Sequence, residues 1–218
     1  MADDLVFLID VDNTLLDNGL LIDEFKRMLT GTFGEEGERR YWQIMETLWN
    51  ENGYADYLGA LQRLRLERPG DQAAMRAAQF LLTCPFADRV YPGALDALAA
   101  VGRRGPVVIV SDGDAAYQPL KIDRSGLGRA VGGRVLIYVH KEDMLEDIAE
   151  RYPALHYVIV DDKLRILAAM KARWGARLTT VFVRQGHYAL DPAIVAAYPA
   201  ADVTIEGIAD LATALPER

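Results

Sequence analysis

The chain has 218 residues, 51% of them apolar and 26% charged, with a formal net charge of −8. That length suits one full-sized domain, or one domain carrying a large insert, and the negative charge argues against nucleic acid as a partner, since phosphate backbones demand a basic surface. No apolar run approaches the ~20 residues of a membrane span, the single cysteine, Cys84, excludes an internal disulfide, and MADDLVFLID has no basic segment ahead of its apolar run. A cytoplasmic protein with no membrane partner is the expectation.

In chain order, the first element is the run LVFLIDV (5–11), which reads as a strand and ends in DVDNT (10–14). Apolar strands do not ordinarily finish in two carboxylates at alternate positions, where both would face one site. Residues 19–33, 35–52, 55–67 and 71–83 then read as helices. In the second of them Tyr41, Trp42, Met45, Leu48 and Trp49 mark one apolar face. Roughly ninety residues separate the first strand from the next, far more than one crossover helix needs. A helical insert spanning 17–90 is the simplest account, with 1–16 and 91–218 forming the core.

From residue 92 the chain alternates. PGALDALAAVG (92–102) opens on proline and closes on glycine, as helix ends prefer. PVVIVS (106–111), RVLIYV (134–139), HYVIVD (156–161) and LTTVFV (178–183) are near-continuous β-branched runs, the pattern of strands covered on both faces. ADVTI (201–205) is a weaker sixth strand. Helices are expected over 141–152 and 163–175. This order predicts a doubly wound parallel α/β sheet with a helical cap.

In such sheets the site lies beyond the carboxyl ends of the strands. Asp10 and Asp12 stand at the first of those ends, Ser111 at the second, Lys141 beyond the third, and Asp161 with Asp162 at the fourth. Crowded carboxylates repel one another unless a cation intervenes, and a few hard oxygen ligands suit Mg²⁺. Lys141 would stabilise an anionic phosphoryl group, and Ser111 would donate to a phosphate oxygen, aided by amides of the following helix.

These residues, in this order, resemble the haloacid dehalogenase superfamily, whose members are mostly Mg²⁺-dependent phosphatases. DVDNT matches its DxDx[TV] signature, and Ser111, Lys141 and the pair Asp161–Asp162 match its later motifs. VYPGALDALAAV (90–101) resembles the family's return from cap to core. The resemblance implies a Rossmannoid core with the insert as a closing lid over the site. It also implies hydrolysis of a small phosphorylated metabolite. Asp10 would be the nucleophile that forms an aspartyl-phosphate, and Asp12 the general acid and base. Mg²⁺ would be held by the carboxylates of Asp10 and Asp162 and the backbone carbonyl of Asp12, supported by Asp161. Ser111, Lys141, Asn13 and Asp112 would form the phosphate site. Family dehalogenases lack an acid at the position of Asp12, because a departing halide needs no proton. A phosphomutase uses the same groups, and a phospho-accepting scaffold is a more distant alternative.

The sequence departs from the family at Ile166, where a further Asp or Asn often stands, and Lys163 offers a charge beside the acid pair. Several residues take plain structural readings. Asp17 is expected as a helix cap and Cys84 as a small buried side chain. Lys121, in a Gln-x-x-Lys pattern, is expected to be exposed or to snorkel. His140, His156 and His187 are expected to be packed or exposed away from the site. Arg63, Arg65 and Arg68 suit a solvated helix face, and the aromatics of 41–57 suit the core or a cap–core interface. Oligomeric state and substrate identity are not legible.

Overall fold

A computed structural model describes residues 3–216. Six parallel strands form one sheet in the order β3-β2-β1-β4-β5-β6. They are β1 (Asp3–Ile9), β2 (Val107–Asp112), β3 (Val135–Tyr138), β4 (Ala154–Asp161), β5 (Leu178–Val183) and β6 (Val203–Ile205). All six expected strands are present, and the sheet is the doubly wound α/β sheet that their pattern predicts. Successive residues of β1 enter opposite layers. Leu5, Phe7 and Ile9 pack with Val107, Ile109 and Val158 on one face, while Val6 and Leu8 pack with Val108, Val110 and Ile159 on the other. Each strand is covered twice, which is why its sequence runs apolar without interruption.

Between β1 and β2 lie α1 (Asn18–Asn52), α2 (Tyr57–Glu67) and α3 (Ala73–Thr83). The two helices expected over 19–33 and 35–52 are the two arms of α1, which breaks at Gly34 (φ 73°, ψ 173°). Only glycine occupies that backbone region at low cost. Asp17 caps α1 as expected, accepting from the Leu20 N–H at 2.8 Å. Within the insert, Trp42 meets Tyr41 edge-on at 5.1 Å and Phe25 at 6.5 Å. Phe25 and Tyr41 also belong to the same apolar cluster as one face of the sheet, so the insert's core continues into it.

The two connections to the insert run side by side. Leu16 bridges to Val90, the Asp17 N–H donates to the Arg89 carbonyl at 2.8 Å, and the Tyr91 N–H donates to the Leu15 carbonyl at 2.9 Å. Buried Arg89 joins exit to entry by pairing with Glu24 of α1. Its Nε also reaches Cys84 Sγ at 3.1 Å, and Cys84 is buried as expected.

The remaining helices are α4 (Ala94–Val101), α5 (Tyr117–Arg124), α6 (Leu127–Ala130), α7 (Leu145–Arg151), α8 (Leu164–Trp174), α9 (Gly186–Leu190), α10 (Pro192–Ala196) and α11 (Leu211–Ala214). Lys141–Asp143 forms a 3-10 turn ahead of α7 rather than the first turn of a single longer helix. Among the described residues no helix is long and apolar enough to cross a membrane.

Candidate active site

Strand β1 ends at Ile9, and the chain turns at once. The Asp10 N–H donates to the Val160 carbonyl of β4 at 3.0 Å, and the Leu15 and Leu16 N–H groups both return to the Val11 carbonyl at 2.9 Å. Asn13 takes a left-handed conformation (φ 60°), which asparagine tolerates better than most residues. Its N–H donates to the Leu16 carbonyl and its side-chain oxygen accepts from the Gly19 N–H, so both are engaged within the chain. Gly186, at φ 69°, presses against Asn13 where a Cβ would come within 2.4 Å of the asparagine Cβ. The Gln185 amide donates to the carbonyls of Asn13 and Thr14 at 3.4 and 3.2 Å. The segment that leaves β5 thus clamps the turn that carries both acids.

Lys141 is the hub of the buried rim. Its ammonium lies 2.5 Å from Asp10 Oδ1 and 2.7 Å from Asp161 Oδ2, and it also donates to the Val110 carbonyl at 3.1 Å. Burial opposes the charge on Lys141, but the carboxylates of Asp10, Asp161 and Asp112 outweigh it and raise its pKa. The Asp112 carboxylate accepts from the Lys141 N–H at 2.8 Å and so fixes the backbone that carries the ammonium. One carboxylate oxygen from each of Asp10, Asp161 and Asp162 lies within 4.8 Å of the others, a cluster that could hold a metal ion. Asp10 Oδ2 and both oxygens of Asp162 are buried with no hydrogen-bond partner. Burial, together with Asp161 and against the pull of Lys141, raises the Asp10 carboxyl to about 6. Asp162 is likewise pushed well above the ordinary carboxylate range, mainly by burial. Buried, negatively charged oxygens without donors are what a bound cation satisfies.

Asp12 has a different partner. It lies beyond the strand, and its two oxygens sit 2.6 and 2.8 Å from the ammonium of Lys121. Lys121 is 1% exposed, which corrects the expectation of a surface lysine. Its head crosses α5 to a carboxylate 109 positions away, and sequence periodicity carries no sign of that pairing. Gln118, one turn earlier, donates to Asp12 Oδ2 at 3.3 Å and to Ser111 Oγ at 2.8 Å, joining the first and second strand ends. The Gln-x-x-Lys spacing was the available signal, because it places both side chains on one helix face. A second correction concerns the amides at the start of α5. Asp114 already accepts from the Ala116 and Tyr117 N–H groups at 2.8 and 2.6 Å, so these two are engaged within the chain.

Above the rim lies a cavity of about 600 Å³ that reaches Asp12, Asn13, Asp112 and Lys163 on the core side and Trp42, Trp49 and Tyr54 on the insert. His140 and His187, both exposed, also line it. Trp49 is 48% exposed rather than core, because its wall of the insert borders open space. Lys163 points along the cavity with its ammonium 5.2 Å from the Tyr188 ring. Burial opposes its charge, yet Asp162, Asp10 and Asp161 raise its pKa, as expected of a cation offsetting the acid pair. Ile166 is buried in the apolar layer of α8. Arg63 pairs with Glu51 on the surface, in keeping with a solvated face. His156 lies on β4 with Nε2 2.8 Å from Thr179 Oγ1.

A family model described as haloacid dehalogenase-like hydrolase matches residues 5–172, which covers the strand ends just described. The chain belongs to the haloacid dehalogenase-like hydrolases. A structure of a haloacid dehalogenase-like hydrolase from Burkholderia xenovorans LB400 is 60% identical over 97% of this chain and 96% of that one, with a TM-score of 0.91. Two more distant structures share the fold at 17% identity and a TM-score of 0.65. One is the HAD-hydrolase YfnB from Bacillus subtilis bound to magnesium, matched over 96% of this chain and 97% of that one. The other is an L-2-haloacid dehalogenase from Xanthobacter autotrophicus with chloropropionic acid covalently bound, matched over 98% of each chain. No curated protein matches this sequence. The family is thus a hydrolase family, and an L-2-haloacid dehalogenase shares its fold.

Proposed function

We propose that this hydrolase is a Mg²⁺-dependent phosphatase of small phosphate monoesters, with Asp10 as nucleophile and Asp12 as general acid and base. The observation that carries this reading is two separately held carboxylates at one rim: Asp10 on Lys141 and Asp12 on Lys121. Displacing a halide needs only the first. Displacing an alkoxide needs the second as well, because the leaving oxygen must gain a proton.

Asp10 is anchored through Oδ1 by Lys141, and of its two oxygens one would attack phosphorus while the other faces the cation. As the bond from the Asp10 carboxylate to phosphorus forms, the bond from phosphorus to the ester oxygen breaks, and Asp12 gives that oxygen its proton. Water then attacks the aspartyl-phosphate and yields its proton to Asp12, which frees phosphate and restores Asp10. Lys121 holds the Asp12 carboxylate in place for both proton transfers. Lys141 and Ser111 hold the transferring group, and Asp112 acts through Lys141 by fixing its backbone. Asp10 and Asp162, with the Asp12 carbonyl, would hold Mg²⁺, and Asp161 would orient Lys141 behind them. When bound, the ion neutralises charge on the phosphoryl group.

Assay of phosphate release from a panel of monoesters, with Mg²⁺ and with chelator, tests the reading. Mg²⁺-dependent release that Asp10→Asn abolishes supports it. Metal-independent halide release from 2-haloacids, or full turnover in Asp10→Asn, overturns it.

A further inference from the structure

The wall chemistry of the cavity narrows the substrate beyond the phosphate it anchors. Large apolar side chains are left open on both sides of the cavity: Trp49 is 48% exposed on the insert, and Val139 and Tyr198 are 41% and 37% exposed on the core. No other part of the described chain covers them, although open apolar surface of this size disfavours the exposed state. Trp42 stands on the same insert wall with its ring fixed edge-on by Tyr41 and Phe25. Its indole N–H is buried without an acceptor. Opposite, the Tyr188 ring is held between the Lys163 ammonium and the His187 ring, whose centroid is 3.9 Å away. Burial, and then Lys163, lowers the pKa of His187.

Resting on the phosphatase reading, we infer that the leaving group is a flat aromatic or heteroaromatic alcohol rather than a polyol such as a sugar. The same cavity contains Asp12, so an ester with phosphorus at Asp10 and its leaving oxygen at Asp12 has its organic part between these walls. Pockets of about 300–1,000 Å³ hold whole small ligands, and this one leaves room for a ring system beyond the phosphate. A sugar would lose water from several hydroxyls against these apolar walls, and some of the polar groups near the rim are already engaged within the chain. Asn18, for example, accepts from Lys121 at 3.4 Å and bonds Tyr57. A ring loses little on leaving water and can stack against Trp49, whose side chain is half exposed.

Two esters with leaving oxygens of similar basicity separate ring recognition from chemistry: 2-phenylethyl phosphate and glucose 6-phosphate, each with Mg²⁺ and compared with acetyl phosphate. The expected result is a kcat/KM about tenfold or more in favour of the phenylethyl ester. Trp49→Ala should erase most of that preference through KM, and Trp49→Phe should restore it. Equal or better use of glucose 6-phosphate, or a Trp49→Ala effect equal on both esters, overturns the inference. Failure to release phosphate from all three compounds instead overturns the phosphatase reading. Ring preference is then still decided by quenching of tryptophan fluorescence in Asp10→Asn. Tighter binding of the phenylethyl ester upholds the inference, and equal binding overturns it.

Discussion

The floor and the roof of the cavity are built on opposite principles. The floor, at the ends of β1, β2 and β4, is buried, charged and cross-braced: Asp10, Asp161, Lys141 and Ser111 are each 4% exposed or less. The roof, from α1 and the segment after it, offers open aromatic surface, and its charged side chains, such as Arg40 with Glu67, pair on the outside. Charged groups at strand ends gain fixed positions from a sheet that hardly moves, which suits chemistry. Aromatic side chains on helices fit a shape without demanding one geometry, which suits selection. The two regions should therefore fail differently when altered.

The largest effect is expected at the floor's hub. Lys141→Met leaves Asp10 and Asp161 buried without their cation, and turnover should fall about a thousandfold or more. Removing one partner of such a buried pair also costs about 3–5 kcal/mol in stability. Steady-state kinetics and urea unfolding measure the two losses, and near-normal activity would break the contrast between floor and roof.

Lys121→Met should lower kcat about ten- to a hundredfold, because Asp12 loses its orienting cation but keeps Gln118. The loss should be larger for alkyl phosphates than for acetyl phosphate, whose leaving group needs little protonation. A uniform loss across both substrates would place Lys121 in folding rather than in proton transfer.

Asp162→Asn sharpens the comparison in the opposite direction. Its carboxylate is raised well above the normal range, mainly by burial, so the metal-free protein should melt higher with the neutral amide, while the response to Mg²⁺ disappears. For the unaltered protein the signs follow from linkage. Asp10, raised from 3.8 to about 6, holds its proton in the folded, metal-free state after the unfolded chain has lost it. Metal-free stability thus falls as pH rises through that window, while Mg²⁺ affinity grows as the carboxylates ionise. The rise in melting temperature on adding Mg²⁺ should accordingly be larger at about pH 8 than at about pH 5. A pH-independent rise would remove Asp10 from the metal site.

The smallest effect on turnover belongs to the roof. Gly34→Ala forces a side chain into a glycine-only conformation at the bend of α1 and should cost about 1–3 kcal/mol in unfolding free energy. Because Gly34 lies away from the floor's charges, kcat on acetyl phosphate should change little.

The sequence determined much of this on its own. The six β-branched runs, the caps of the helices and the break at Gly34 are local signals, and β-strand and helix formation are local responses to them. The alignment of Asp10, Ser111, Lys141 and Asp162 at one edge followed from topology, since every parallel strand ends on the same side. What only the tertiary structure decided is pairing. Lys121 looked like a surface residue and is buried on Asp12, while Trp49 and His187 looked like packing and face the cavity. Side-chain partners separated by a hundred residues depend on how helices cross the sheet, and periodicity within a single helix reports which face is apolar, not which charge waits opposite it.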